Sequence, residues 1–141
     1  MALENIIIRV YQLKDYDQVK QNLMEVEMYD EDIYSEKRIK EKIEKDNKSI
    51  FIAEVDGKVI GNIFINLDWA VIIFGLCVKK DFRNQGIGKK LVDAAVAEVK
   101  NKGYKSINLL VRENRTELQN TYERWGFIKD DIYRWMRREI K

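Results

Sequence analysis

"VKKDFRNQGIGKKLVDAAVAEVKNKG", residues 78–103, carries an apolar chain end into two glycines and then into an amphipathic segment. Gly86 and Gly88 stand one residue apart, among Lys79, Lys80, Arg83, Lys89 and Lys90. From there Ile87, Leu91, Val92, Ala95, Val96 and Val99 recur at spacings of three and four, which predicts a helix with one apolar stripe, ended by Gly103 as a left-handed cap. The first amides of such a helix have no partner within it, and its dipole is positive at that end. A strand, a glycine loop and a helix start in this order therefore make an anion site. Taken alone, the two glycines are equally well read as a helix cap. Each lysine is by itself a solvated surface charge, but together they raise the local potential for a polyanion. Arg83 differs, because a planar guanidinium fork suits phosphate.

Two phosphate motifs fail on the residues. A dinucleotide fingerprint needs a small residue where Leu91 stands, and a P-loop needs glycine in place of Arg83 and a hydroxyl in place of Lys90. A plain nucleotide-binding module is weakened accordingly.

Upstream of the loop, the uncharged run "WAVIIFGLCV", Trp69 to Val78, predicts a central strand covered on both faces. It falls far short of the roughly 20 residues of a spanning helix. Before it, Asp56-Gly57 between "SIFIAEV" and "KVIGNIFINL" predicts a type I′ hairpin turn joining two antiparallel strands. "NIIIRV" (5–10) reads as a first strand and Val19, Leu23 and Val26 mark a helix. Ser35 is the expected N-cap of a thin outer helix carrying Ile39 and Ile43. Downstream, "KSINLLV" (105–111) predicts a buried strand. Leu118, Tyr122 and Trp125 predict one face of a helix that Gly126 ends, and "IYRWMRREI" predicts a closing strand.

The 141 residues fit one domain, 1–141, and 45% apolar with 35% charged residues is a globular composition. The absence of histidine removes serine–histidine and cysteine–histidine hydrolysis and the histidine-ligated metal centres, so no metal is expected. A net charge of +2 gives no basic stripe for nucleic acid, and no membrane partner is expected. Glu4 and Arg9 bracket a brief apolar run unlike a secretory signal, which makes a cytoplasmic protein the expectation. Cys77, alone in an apolar run with no activating imidazole, is expected to be inert.

The R-x-x-G-x-G run Arg83-Asn84-Gln85-Gly86-Ile87-Gly88, following Leu76-Cys77-Val78, and the later "YERWGF" resemble the GNAT superfamily of acyl-coenzyme A-dependent N-acyltransferases. The resemblance covers nearly the whole chain and is nearest to small bacterial members of unassigned acceptor. It implies an α/β (α+β) fold whose mostly antiparallel mixed sheet has six to seven strands, helices on both faces, and a splay at a central parallel pair. It implies acetyl-CoA as cosubstrate. Leu76, Cys77 and Val78 would line the pantetheine arm, and Arg83, Asn84, Gln85, Gly86, Ile87, Gly88 and Lys89 would cradle the pyrophosphate.

The activity implied is direct transfer of acetyl to a primary amine of a small molecule or peptide in a ternary complex, by a monomer or homodimer. A backbone amide of the strand ending in Val78 would polarise the thioester carbonyl, and Tyr122 would return a proton to the sulfur. From spacing alone, Tyr122 is a packed core residue. The chain departs from the family pattern at Leu110, where some members place a glutamate base. It departs again at Arg115, where many place an asparagine; neighbouring Asn114 with Glu117 also reads as a capping box. Glu25, Glu27, Asp30 and Asp68 are candidate bases beside a water chain. These departures keep open a second reading, a coenzyme A-binding sensor or partner protein without turnover.

Overall fold

Asp56 and Gly57 both take left-handed backbone, φ 49° and 81°, the conformation that a two-residue type I′ turn requires. The computed structural model describes residues 5–68 and 70–141, and in it this turn joins β2 (Ile50–Val55) to β3 (Lys58–Asn66) as predicted. With β1 (Ile6–Val10) and β4 (Ile72–Val78) they form an antiparallel sheet in the order β1-β2-β3-β4. Trp69, at the start of the predicted central strand, lies outside the described residues.

Three helices precede the hairpin: α1 (Tyr16–Glu25), the single turn α2 (Glu31–Tyr34) and α3 (Glu36–Lys45). The Ser35 hydroxyl accepts from the Arg38 amide at 3.3 Å, so α3 begins where its cap predicts. After the sheet come α4 (Ile87–Asn101) and α5 (Thr116–Arg124). Gly103 follows α4 at φ 90°. Of the predicted stripe, Ile87, Leu91, Val92, Ala95 and Val99 are buried, while Val96 stays 39% exposed at the edge of the packed face.

Helices cover both faces of β3. Adjacent strand residues point to opposite faces; Asn62 meets Asn22 of α1, and a Cβ on neighbouring Gly61 would lie 3.2 Å from Leu91 Cδ1 of α4. Gly61 thus lets α4 approach the sheet closely. On the α1 face, Val19, Leu23, Ile39, Ile50, Ile52 and Phe64 belong to the core cluster.

The chain divides into two compact units, one ending at Leu109 and one running from Leu110 to Lys141. The sheet corrects the expected six to seven strands to four among the described residues. At 105–111, only Asn108 pairs: it bridges Ile72 in parallel, through Ile73 N–H to Asn108 O at 2.9 Å and Asn108 N–H to Val71 O at 2.8 Å. Its side chain also donates to Val71 O, and Leu110 is 70% exposed, so the apolar run is not a buried strand. The predicted closing strand is also absent, with Trp135 83% exposed. A strand requires a neighbour to pair with, and α5 is the sole regular element described within residues 110–141. The capping box is corrected too. The N-cap of α5 is Arg115, without a side-chain bond, because Arg115 N–H closes a turn onto Arg112 O and carries the helix start past Asn114.

At the edge near β1, Arg9 grips Asp15 with two hydrogen bonds of 2.8 Å and also reaches Glu54 at 3.1 Å. Asp15 is 1% exposed. Burial pushes its carboxyl up, but the Arg9 guanidinium and the Gln12 amide together hold it below the usual carboxylate range. A depressed folded value means that the pair's stabilisation is present above the unfolded pKa, about 3.9, and is lost as pH falls through the folded value. Asp15→Asn is therefore expected to cost about 2 kcal/mol at neutral pH, because Arg9 keeps Glu54 but loses the carboxylate it holds with two hydrogen bonds. Denaturant titrations of both proteins check this, and the gap between them should close in acid.

Candidate functional site

Of the sequence-predicted residues, the structure brings the end of β4 and the glycine loop together. Arg83 Nε donates to Val78 O at 2.9 Å, which folds the loop back against the strand that delivers it. Among the described residues no hydrogen bond or ion pair engages its two Nη groups, which leaves the fork for a ligand. Between them a 3-10 turn, Lys80–Phe82, reverses the chain. Asn84 and Gly86 both take left-handed backbone, φ 63° and 78°.

Gly86 is the N-cap of α4, and Ile87, 1% exposed, anchors the helix start in the core. The first intrahelical bond runs from Lys90 N–H to Gly86 O at 3.1 Å. The amides of Ile87, Gly88 and Lys89 come before it and have no acceptor within the helix. No side chain caps them and no acidic residue stands in the first turn, whereas α2 and α3 are capped by Asp30 and Ser35. Beyond the adjoining chain, nothing among the described residues lies within 4 Å of a Cβ built on Gly86. Uncapped amides, open space above the glycine and an adjacent guanidinium suit an anion such as the pyrophosphate of coenzyme A. Gln85 Oε1 is buried without a partner among the described residues. Lys89 Nζ pairs with Asp93 at 2.8 Å on the exposed side of α4; such a surface pair is worth little and yields to a ligand at small cost.

Gly75, a residue the sequence reading passed over, shapes β4. The β3–β4 pairing runs Asn62↔Cys77 and then Phe64↔Phe74, so Gly75 and Leu76 together face Ile63 in a bulge. Gly75 has φ 60°, and a Cβ there would lie 2.7 Å from Phe64 Cδ1. The available signal was a glycine inside an apolar strand, which marks bulges. Cys77 is buried and its thiol is pushed up to about 11, chiefly by burial, so it stays protonated and inert at neutral pH.

Tyr122 lies in the second unit, on α5, with its ring edge-on to Trp125 at 5.5 Å and to Phe127 at 5.7 Å. Burial raises its phenol above the ordinary value while Arg115 works against the shift. A phenol of ordinary pKa, about 10, already holds its proton at neutral pH, and the shift strengthens that hold. Two of the candidate bases are engaged: Glu25 pairs with Lys79 at 3.0 Å, and Lys45 holds the Asp68 carboxyl below its usual range. Asp30 caps α2 and Glu27 takes left-handed backbone, φ 58°. Among the described residues no cluster of acidic or cysteine side chains is placed to hold a metal, and no helix is long and apolar enough to cross a membrane.

Residues 13–127 match the Acetyltransferase (GNAT) family. The chain belongs to that family. It is 27% identical over 104 residues to an uncharacterized N-acetyltransferase of Methanocaldococcus jannaschii, covering 67% of this chain and 46% of the relative. With an acetyltransferase of Yersinia enterocolitica it shares 25% over 125 residues, covering 88% of this chain and 89% of the other. The chain spans about half the length of two of the curated relatives it matches. Among solved structures, AAC(6')-Iy in complex with the bisubstrate analog CoA-S-monomethyl-acetylneamine superposes with a TM-score of 0.78 at 20% identity, covering 97% of this chain and all of that one. That likeness is one of fold.

Proposed function

We propose that residues 1–141 act as one N-acetyltransferase domain, moving acetyl from acetyl-CoA to a primary amine of a small molecule or peptide. The family match runs across both units and supports reading them as one domain. The observation that carries the function is the uncapped start of α4 beneath left-handed Gly86, beside the guanidinium of Arg83. The amides of Ile87, Gly88 and Lys89, with the loop Arg83–Gly86, hold the pyrophosphate. Leu76, Cys77 and Val78 line the pantetheine arm. The solved relative that carries a coenzyme A bisubstrate analog supports the choice of ligand.

The bulged strand offers a backbone amide to the thioester carbonyl, a donor that gains strength as negative charge develops on that oxygen. The neutral amine attacks the carbonyl carbon, the new C–N bond forms, and the C–S bond breaks. Tyr122 gives its proton to the departing thiolate, and the ammonium proton passes to water. No acyl-enzyme forms, in keeping with the protonated thiol of Cys77. We place the enzyme in the cytoplasm, as a monomer or homodimer.

Acetyl-CoA binds the native state alone and should raise its stability by about 2.7 kcal/mol at a hundredfold excess over Kd. Thermal melts with acetyl-CoA, coenzyme A and ATP test this. A midpoint raised by ATP and left unmoved by both coenzyme forms would remove the assignment.

A further inference from the structure

Two buried asparagines connect α1 to the β4 bulge. Asn62, fully buried, donates from Nδ2 to Gly75 O at 2.8 Å and to Cys77 Sγ at 3.3 Å. Its Oδ1 accepts from Asn22 Nδ2 at 3.2 Å, and Asn22, 2% exposed, donates equally to Val59 O at 3.2 Å. A carbonyl only accepts, so Gly75 O fixes which end of the Asn62 amide faces it. We propose that Asn62, held by Asn22, is a positioning residue that sets the direction of the Leu76 amide N–H toward the thioester carbonyl. This inference rests on the acetyltransferase reading above.

The reason lies in the peptide plane. No peptide bond among the described residues is cis, so the Gly75 carbonyl and the Leu76 N–H, which share one plane, point in opposite directions. Tying Gly75 O down toward Asn62 turns the Leu76 N–H away from it. In regular strands the ladder sets that direction. At this bulge Gly75 and Leu76 share one opposing residue and Gly75 sits at φ 60°, so the ladder does not set it and a side chain does.

The pair makes four buried hydrogen bonds and also carries a cost. Asn22 Oδ1 is buried without a partner among the described residues, and an unmet buried acceptor costs about 1–3 kcal/mol. Apolar residues in both places would remove that cost but leave the Val59 and Gly75 carbonyls without these donors, and they would also leave the bulge peptide free to rotate.

The test is infrared difference spectroscopy of acetyl-CoA carrying a 13C-labelled thioester carbonyl, bound to the wild-type chain and to Asn62→Leu. The variant leaves the glycine loop untouched, so it should still bind coenzyme A. Its bound carbonyl band should lie at higher frequency than in the wild type, because the donor is misaimed. With an accepting amine, turnover should fall about a hundredfold, the effect of misplacing a reacting group by about 1 Å. If Asn62→Leu does not fold, Asn22→Leu is measured in its place, with the same direction expected and a smaller shift. An identical band in wild type and variant, accompanied by a lowered melting temperature, would make the pair structural and overturn the inference. Failure of the wild type to bind acetyl-CoA would instead overturn the reading on which it rests.

Discussion

Tyr122→Phe is expected to lower turnover by about 10²–10⁴-fold, or roughly 3–5 kcal/mol of barrier, while barely changing the affinity for coenzyme A. In the proposed role the hydroxyl is needed only when charge develops on the departing sulfur, and the ring's edge-on packing against Trp125 and Phe127 survives the change. A phenol of ordinary pKa, about 10, is protonated at neutral pH and burial only raises it, so the wild type carries the proton that the proposed role requires. Packing alone predicts another pattern: normal turnover and, at most, a small loss of stability. Single-turnover kinetics separate the two, since slow product release masks a chemical step in the steady state. Wild-type single-turnover rates in the variant would withdraw Tyr122 from the mechanism.

Gly86→Val is expected to abolish coenzyme A binding in a chain that stays folded. At φ 78° a side chain costs about 1–2 kcal/mol of backbone strain, less than a typical stability of about 5–15 kcal/mol. Beyond the adjoining chain, nothing among the described residues lies within 4 Å of a Cβ at this position, so the substitution starts in open space. The valine enters the space through which a phosphate approaches the uncapped amides of α4. Calorimetric titration with coenzyme A, alongside a circular dichroism spectrum, decides it. Wild-type affinity in a folded variant would place the pyrophosphate elsewhere.

What the sequence made legible was local. Asp56-Gly57, Ser35, Gly103 and the Ile87-Leu91-Val92-Ala95-Val99 stripe each determine their conformation within a turn or two of chain, and each behaves as read. The glycine loop was legible for the same reason, because helix amides without partners follow from chain order alone. The strands expected at 105–111 and in the closing segment depend on a distant edge to pair with, which an apolar pattern does not reveal. Within 105–111, Asn108 bridges Ile72 of β4 and Leu110 is 70% exposed. The Asn22–Asn62 pair was hidden because its meaning lies in contacts 40 positions apart. The trace it left was Asn62 standing as an amide inside an apolar strand. Gly75 left a similar trace, since the bulge that makes it necessary exists only once β3 and β4 are in register.

Release of free thiol from acetyl-CoA, followed across a panel of primary amines and paired with mass spectrometry of the products, tests the central claim most directly. At least one amine should yield thiol and N-acetyl product in equal amounts, at a rate that Gly86→Val removes. Tight coenzyme A binding with no thiol released for any amine would contradict the transferase and leave the chain as a coenzyme A sensor.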